Sequence, residues 1–160
     1  MMTGKTVKET SVFMSQMVTP QDANPAGNVH GGVIMKLIDT AAGVVATRHS
    51  NTNAVTASVD RIDFHNPGFI WEILTLKASL NLVGRTSMEV GVRVEAENVR
   101  SMEKRHIASA YLTFVALDEN HRPKEVPELI LEDEDERRRN QEAANRRKIR
   151  LDEKRNENMA

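Results

Sequence analysis

Residues 33–46 read VIMKLIDTAAGVVA and follow directly on the turn sequence GNVHGG of residues 27–32. Apolar residues recur in this stretch at three- and four-residue intervals, which is the spacing of one helix face, and others lie on the remaining faces. The pattern predicts a central helix from Val33 to about Ser50 that is buried on nearly every side. The residues of the main apolar face are Ile34, Leu37, Ile38, Ala41, Ala42 and Val45.

Asp39 is the only acidic residue in this apolar stretch. Carboxylates are seldom buried unless they are paired or hydrogen-bonded, because desolvation disfavours the charged form. One interpretation is a general base whose pKa is raised by burial. The other is a structural carboxylate that caps a loop or pairs with Lys36 or Arg61. The residues alone favour neither interpretation.

Strand-like segments lie on both sides of the predicted helix. β-Branched and apolar residues from Val7 to Val18 predict a first strand, and the Pro-, Gly- and Asn-rich residues 20–32 predict a loop. This order predicts an α+β fold in which an antiparallel sheet wraps around the helix. One such sheet leaves an edge and part of the helix uncovered, so we expect at least a dimer, joined edge to edge or through the helices. The later strands are predicted at residues 54–64, 70–83, 86–97 and 106–117.

The last part of the chain is dominated by charged residues. Between Glu132 and Glu157 acidic residues lead and basic residues follow, with opposite charges four residues apart. This pattern predicts a solvated helix that only Ile149 and Leu151 anchor. We therefore expect a single globular domain at residues 1–130 and a charged helical tail at residues 131–160.

Composition excludes several classes of function. The formal net charge of −1 argues against a nucleic-acid partner, and the absence of cysteine excludes disulfides, thiolate metal ligands and a thiol nucleophile. The five histidines do not have the spacing of a metal site, so no catalytic metal is expected. The apolar stretch is interrupted by charges, and the N-terminus lacks the pattern of a secretory signal. We expect a cytoplasmic protein with no membrane partner.

The sequence around the predicted helix resembles a known family. Residues 22–32 (DANPAGNVHGG) and residues 35–42 (MKLIDTAA) are similar to the signature of the acyl-CoA thioester hydrolases of the cytosolic brain type and their small bacterial relatives, which have the hotdog fold. The resemblance covers roughly residues 7–127, and the charged tail lies outside it. Where such sequences usually have Gly-Asp, this chain has Trp71-Glu72. The similarity continues through residues 64–67 (FHNP), 83–88 (VGRTSM) and 113–118 (TFVALD).

The resemblance implies catalytic roles for residues near the start of the helix. Asp39 would be the general base, or a nucleophile that forms an anhydride, and Asn24 of a second subunit would orient the water or the thioester carbonyl. The amides of Gly31 and Gly32 at the positive end of the helix dipole would stabilise the oxyanion, and His30 would polarise the carbonyl. Alternative interpretations are a turn-forming asparagine, glycines required by a tight turn and a structural histidine.

Coenzyme A would be held by two further groups of residues. The turn Gly84-Arg85-Thr86-Ser87 combines a guanidinium, two hydroxyls and free amides at the position where related thioesterases hold the pyrophosphate. Lys104 and Arg105, just before the last strand, are candidates for the 3′-phosphate.

Together these features predict an acyl-CoA thioesterase that releases coenzyme A and a fatty acid. Coenzyme A would enter as part of the substrate, and no other cofactor is expected. The resemblance also implies dimers assembled as a hexamer, a trimer of dimers. Two alternatives are a hotdog dehydratase acting on acyl thioesters and a sensor that binds acyl-CoA without cleaving it. The preferred acyl-chain length cannot be read from the residues.

Overall fold

A computed structural model describes residues 2–160 of the chain. Two long helices and five long strands make up most of it, and among the described residues no helix is both long enough and apolar enough to span a bilayer. In chain order the elements are β1 (Lys5–Thr6), α1 (Val7–Thr10), β2 (Val12–Met17), a 3₁₀ turn (Pro20–Asp22), α2 (Gly31–Ser50), β3 (Asn53–Phe64), β4 (Ile73–Val83), β5 (Ser87–Glu97), β6 (Lys104–Leu117), β7 (Leu129–Ile130) and α3 (Glu134–Met159).

The five longer strands form one antiparallel sheet in the order β2-β4-β5-β6-β3. β3 therefore lies at one edge and β2 at the other, and β1 and β7 form a separate parallel pair. α2 packs against all five strands of the sheet. The predicted α+β hotdog arrangement, a sheet wrapped around a long central helix, is confirmed.

The core lies between α2 and the sheet. Ile38, Ala41, Ala42, Val45 and Ala46 of the helix have no exposed surface. The sheet contributes every second residue of its central strands to the core. This two-residue period is expected where one face of a strand is buried. Those residues are Leu74, Leu76, Ala78 and Leu80 of β4, Met88, Val90, Val92, Val94 and Ala96 of β5, and Ala108, Ala110, Leu112, Phe114 and Ala116 of β6.

The beginning of the chain differs from the prediction. Residues 7–10, predicted as strand, form α1, because Thr6 caps this turn of helix and Glu9 bonds back to the Thr6 amide in a capping box. The strand of this predicted segment, β2, starts only at Val12. The loop at residues 20–32 is interrupted by the 3₁₀ turn at Pro20–Asp22, and α2 begins at Gly31, two residues before the predicted start.

The predicted charged C-terminal helix is confirmed as α3, and most of its residues are exposed, but it is attached to the sheet by other residues than predicted. Ile149 and Leu151, the predicted anchors, are 59% and 50% exposed, so that prediction was wrong. The helix is held to the sheet by Arg146, which bonds Glu89, and by Arg150, which bonds Asp60. Arginine carries long apolar stems, and its guanidinium can satisfy a buried carboxylate with several donors. The predicted boundary between a domain at 1–130 and a tail at 131–160 stays a prediction.

His49 lies in the last turn of α2 with no exposed surface. Its Nε2 is 2.8 Å from the carbonyl oxygen of Pro127, and its Nδ1 has no partner among the described residues. Burial disfavours the imidazolium and lowers the pKa of His49 below its ordinary value of 6.5. The folded protein therefore keeps this ring neutral at a pH where the unfolded chain binds a proton.

We expect the free energy of unfolding to decrease as the pH falls below about 6.5, because the unfolded state then binds the proton that folded His49 rejects. Urea unfolding of wild type and His49→Gln, at one protein concentration and several pH values from 7.5 to 5.5, measures this effect. The glutamine variant should lose part of the slope. Equal slopes for the two proteins would contradict the assignment to His49.

Candidate active site

One side of α2 is open to solvent in the single chain. Asp39, predicted to be buried, is exposed, as are Lys36, Thr40 and Thr47. The prediction of a helix buried on nearly every side was therefore wrong for the single chain. An open cleft of about 520 Å³ runs between this side of α2 and the edge strand β3. Its lining combines polar groups with an apolar floor and consists of Asp39, Thr40, Gly43, Val44, Thr47, Arg48, Ala54, Val55, Thr56 and Phe114.

Thr56 of β3 holds the Asp39 carboxylate. Its hydroxyl donates to Asp39 Oδ1 at 2.5 Å, which is a short hydrogen bond to a charged acceptor. No cation lies within salt-bridge distance of Asp39 among residues 2–160, so neither predicted structural partner, Lys36 or Arg61, binds it. Arg61 instead bonds Asp63. Thr56 orients Oδ1, and among the described residues no hydrogen bond involves Oδ2, so this carboxylate at the cleft can accept a proton from a substrate or water.

Gly43 lies one helical turn after Asp39 and faces the same cleft. A methyl group at this position would stand 3.6 Å from the Phe114 ring, which is an ordinary van der Waals contact. Packing therefore does not require glycine here, although glycine inside a helix costs about 1 kcal/mol relative to alanine. The missing side chain leaves open space beside the carboxylate.

Asn24 lies in the loop before α2 and is half-buried. Its Oδ1 accepts hydrogen bonds from the amides of Ala26 and Asn28 at 3.0 and 3.1 Å, so the turn-forming interpretation holds. In the described part of the chain the side-chain NH₂ group of Asn24 makes no hydrogen bond, so it is available as a donor. Within residues 2–160 no hydrogen bond connects Asn24 with Asp39.

His30, Gly31 and Gly32 form the start of α2. His30 is the N-cap residue but its side chain makes no capping bond and is exposed. The amides of Val33 and Ile34 donate to the His30 carbonyl, whereas those of Gly31 and Gly32 have no acceptor among the described residues. A side chain at Gly32 would meet nothing within 4 Å. These two amides can receive an anion, as the predicted oxyanion role requires.

The structure separates the predicted catalytic residues into two groups. Gly32 and Asp39 are seven residues apart on one helix, which corresponds to about 10 Å along its axis. The amide group, formed by Asn24, Gly31 and Gly32, therefore lies at the front of α2, and the acid group, formed by Asp39 and Thr56, lies two turns further on. The carbonyl of one bound thioester therefore cannot contact the amide group and the acid group of the same chain at once.

The Gly84 turn connects β4 to β5. Arg85 is largely exposed and lies 3.5 Å from Glu125, and the Gly84 amide bonds the carbonyl of Ser87 at 2.8 Å. The guanidinium of Arg147 in α3 lies beside the same turn, since a side-chain carbon at Gly84 would stand 3.0 Å from it. The sequence did not indicate this second arginine, because the tail was treated as separate from the domain.

Lys104 and Arg105 lie far from that turn. They start β6 and pair with the end of β5, so the length of β5 separates them from Ser87, roughly 30 Å. Lys104 is exposed and lies 3.9 Å from Glu97. Arg105 binds both carboxylate oxygens of Glu72, at 2.9 and 2.7 Å. A phosphate would have to compete with this ion pair for Arg105, so its predicted role is not favoured by the geometry of the free chain.

Trp71 and Glu72, which replace the usual Gly-Asp, occupy distinct environments. Trp71 has a φ of 70°, in the left-handed region that glycine adopts readily, and its side chain is 58% exposed. Glu72 is buried, and its pKa is lowered chiefly by the hydrogen bonds from Arg105. The backbone thus keeps the turn that a glycine would favour, and β4 begins at Ile73.

Comparison with known proteins identifies relatives over nearly the whole chain. The family model described as "Thioesterase superfamily" matches residues 26–103. The mouse (Mus musculus) protein named "Cytosolic acyl coenzyme A thioester hydrolase" is 41% identical over 143 residues, which are 88% of this chain and 38% of that protein. The chain thus spans less than two fifths of the length of this mammalian relative.

Two solved structures of similar proteins have the same fold over almost the whole of both chains. A hexameric acyl-CoA thioesterase in its apo form superposes with a TM-score of 0.92 at 34% identity, covering 95% of this chain and 97% of that one. An acyl-CoA hydrolase from Staphylococcus aureus, solved with butyryl coenzyme A, coenzyme A and coenzyme A disulfide, has a TM-score of 0.90 at 34% identity, covering 97% and 94% of the two chains. Three single variants of the latter protein were also solved. In each of them alanine replaces one residue, which is an aspartate, an asparagine or a threonine.

Proposed function

The chain belongs to the thioesterase superfamily, and from this premise we propose that it hydrolyses acyl-CoA thioesters to free coenzyme A and a fatty acid. The observation that carries the proposal is the Asp39 carboxylate in an open cleft, bonded by Thr56 and free of any cationic partner among the described residues. The relatives whose names or complexes specify acyl-CoA support the substrate class. Coenzyme A takes part as substrate and product, and the proposed reaction uses no other cofactor.

In the proposed reaction, Asp39 accepts a proton from a water molecule as the water oxygen attacks the thioester carbonyl carbon. The carbonyl oxygen becomes an oxyanion, which the amides of Gly31 and Gly32 stabilise at the positive end of α2. The C–S bond then breaks, and the thiolate of coenzyme A takes up the proton. In this proposal His30, which is exposed at the start of α2, and the NH₂ group of Asn24 donate to the carbonyl oxygen or to the water.

The proposed site is built from two chains. In one chain the amide group and the acid group lie about 10 Å apart along α2, too far to act on one carbonyl. β3 is an edge strand and exposes Val55, Val59 and Phe64 at 40–51% of their surface, which is a surface for a second sheet. Pairing two such edges brings the acid group of each chain towards the amide group of its partner. We propose this dimer, and three of them as a hexamer, consistent with the hexameric relative.

The spacing of residues in the Staphylococcus aureus protein supports the assignment. Its substituted asparagine, aspartate and threonine have the same separations along the chain as Asn24, Asp39 and Thr56 have here. Thr56 was not predicted from the sequence, and its hydrogen bond to Asp39 gives the physical reason to include it.

The coenzyme A end is proposed to bind at the Gly84 turn. Arg85 and Arg147 supply two guanidinium groups there, and Thr86 and Ser87 supply hydroxyls for phosphate oxygens. Lys104 and Arg105 lie about 30 Å away within one chain, so they would contact the same ligand only if they came from another subunit. The name of the mouse relative supports a cytoplasmic location.

Release of free thiol from purified protein and acyl-CoA tests the proposed function. A series from acetyl-CoA to palmitoyl-CoA, followed with a thiol reagent, should show hydrolysis well above the rate without protein. The same series measures the chain-length preference. Binding of acyl-CoA by calorimetry without thiol release at any chain length would identify a sensor instead, and conversion of an unsaturated acyl-CoA to its hydroxylated form would identify a dehydratase.

A further inference from the structure

α3 contacts the sheet on the face opposite α2. Phe114 and Thr113 are neighbours on β6, so their side chains point to opposite faces of the sheet. Phe114 lies beside Gly43 of α2, whereas the hydroxyl of Thr113 bonds Arg150 of α3 at 2.5 Å. α3 is therefore an outer layer, and the proposed catalytic cleft lies on the inner side.

Arg150 binds the outer face through Asp60 of β3. Its Nη1 donates to Asp60 Oδ2 at 2.9 Å, and the hydroxyl of Thr113 donates to the same oxygen at 2.9 Å. The hydroxyl of Ser58 donates to the other oxygen, Oδ1, at 2.8 Å. The Asp60 side chain is only 11% exposed, and among the described residues its hydrogen-bond donors come from β3, β6 and α3.

This carboxylate lies where β3 departs from regular pairing. The register of β3 against β6 shifts between Thr56 and Ser58 and again between Val59 and Arg61, which leaves one extra residue at each point. In a regular strand Thr56 and Ser58 would point to the same face. Here the Thr56 hydroxyl reaches Asp39 on α2, and the Ser58 hydroxyl reaches Asp60 on the side of α3. The bulge is what directs Thr56 inwards while the next residues face outwards.

We propose that Arg150 is a positioning residue for catalysis: by clamping Asp60 from the outer face, it fixes the β3 bulge that directs Thr56 onto Asp39. Arg150 touches neither the cleft nor the carboxylate of Asp39, so it acts through the strand. The inference rests on the proposed function, in which Asp39 is the base. It gives the C-terminal helix a role in the reaction rather than only in stability.

A second ion pair on the same helix is the control for this role. Its loss should weaken the attachment of α3 to the sheet without affecting the bulge in β3. Arg146, one turn before Arg150, binds both oxygens of Glu89 and stacks on Tyr111 at 3.7 Å. Glu89 belongs to β5, in the middle of the sheet; it pairs with Thr113 of β6, and among the described residues no hydrogen bond joins its side chain to β3. Both pairs tie α3 to the sheet from partly buried positions, but only the Asp60 pair lies on β3.

The test compares two double variants with wild type, and each replaces both members of one ion pair by uncharged residues of similar size. For Asp60→Asn/Arg150→Met we expect kcat to fall at least tenfold with KM within about threefold, because small displacements of catalytic groups have large effects on rate. For Glu89→Gln/Arg146→Met we expect kcat within about threefold of wild type. Arg150→Lys, which keeps a charge for Asp60, should retain most of the wild-type kcat. Hydrogen exchange of residues 53–64 should increase only in the first double variant.

A double-mutant cycle distinguishes positioning through Thr56 from any other effect. Arg150→Met should lower kcat in wild type but have little further effect in a Thr56→Val background, because the group that Arg150 positions is already gone. Additive effects, or equal losses in both double variants, would overturn the inference. Wild-type protein that releases no thiol would instead refute the proposed function, and the hydrogen-exchange result would still report whether the clamp fixes the strand.

Discussion

Asp39→Asn should lower kcat for acyl-CoA hydrolysis by about a thousandfold, because the amide cannot accept the proton of the attacking water, and general bases contribute about 10²–10⁴-fold. KM should change little, since the carboxylate is proposed to act on the water rather than to bind coenzyme A. Asparagine keeps the shape of the side chain and can still accept the hydrogen bond from Thr56. Thiol release measured under saturating and limiting substrate gives both constants.

The matched control is Asp152→Asn, which removes an exposed carboxylate from α3 where no described contact depends on it. Its kcat should stay within twofold of wild type. Circular dichroism and size-exclusion chromatography check that both variants keep the fold and the assembly. An Asp39→Asn protein with wild-type activity would exclude Asp39 as the base, although the family and the fold would be unaffected.

Glu72→Ala should lower the free energy of unfolding by about 2 kcal/mol. It leaves the amide of Phe69 without its acceptor and the guanidinium of Arg105 with only the carbonyl oxygen of Pro67. Removal of one partner from a fully buried ion pair destabilises a protein by about 3–5 kcal/mol. We expect a smaller loss of stability here because about a third of the Arg105 side chain is exposed to solvent. Urea unfolding of both proteins at pH 7 and equal concentration measures the difference.

Glu97→Gln is the control for this second prediction. Its carboxylate lies 3.9 Å from the exposed Lys104, and pairs of this kind contribute at most about 1 kcal/mol. The pKa of Glu72 is lowered in the folded protein, so its stabilising effect is present above its ordinary pKa of 4.5 and is lost as the pH falls through the folded value. The two variants should therefore differ most at neutral pH. Equal stabilities there would show that the Glu72 pair contributes nothing.

The sequence predicted the elements whose periodicity is undisturbed. α2, β5 and β6 were located to within two residues, because a three- to four-residue or two-residue apolar period reflects burial on one side. α1 was wrong since the capping box of Thr6 and Glu9 outweighs the β-branched residues that follow it. The start of β4 was placed three residues early, where Trp71 keeps a left-handed turn.

The site was predicted less completely than the fold. The resemblance named Asp39, Asn24 and the two glycines as candidates. Thr56 is brought to Asp39 by the bulge in β3, which no local pattern reveals. The exposure of Asp39 had a signal that the prediction did not use. Lys36, Thr40, Gly43 and Thr47 recur at three- and four-residue spacing and mark the face of α2 that is not part of the core.

Gly43 shows how the demands of folding and of substrate access diverge in α2. Alanine at this position would suit the helix better and would not clash with Phe114, so a stabilisation strategy based on helix propensity would select it as a favourable exchange. The same methyl group would occupy space in the cleft that Gly43 lines together with Asp39, the proposed base. A thermostabilised version of this protein should therefore keep Gly43. Its stabilising substitutions should lie on α3 or in the loops, away from the cleft.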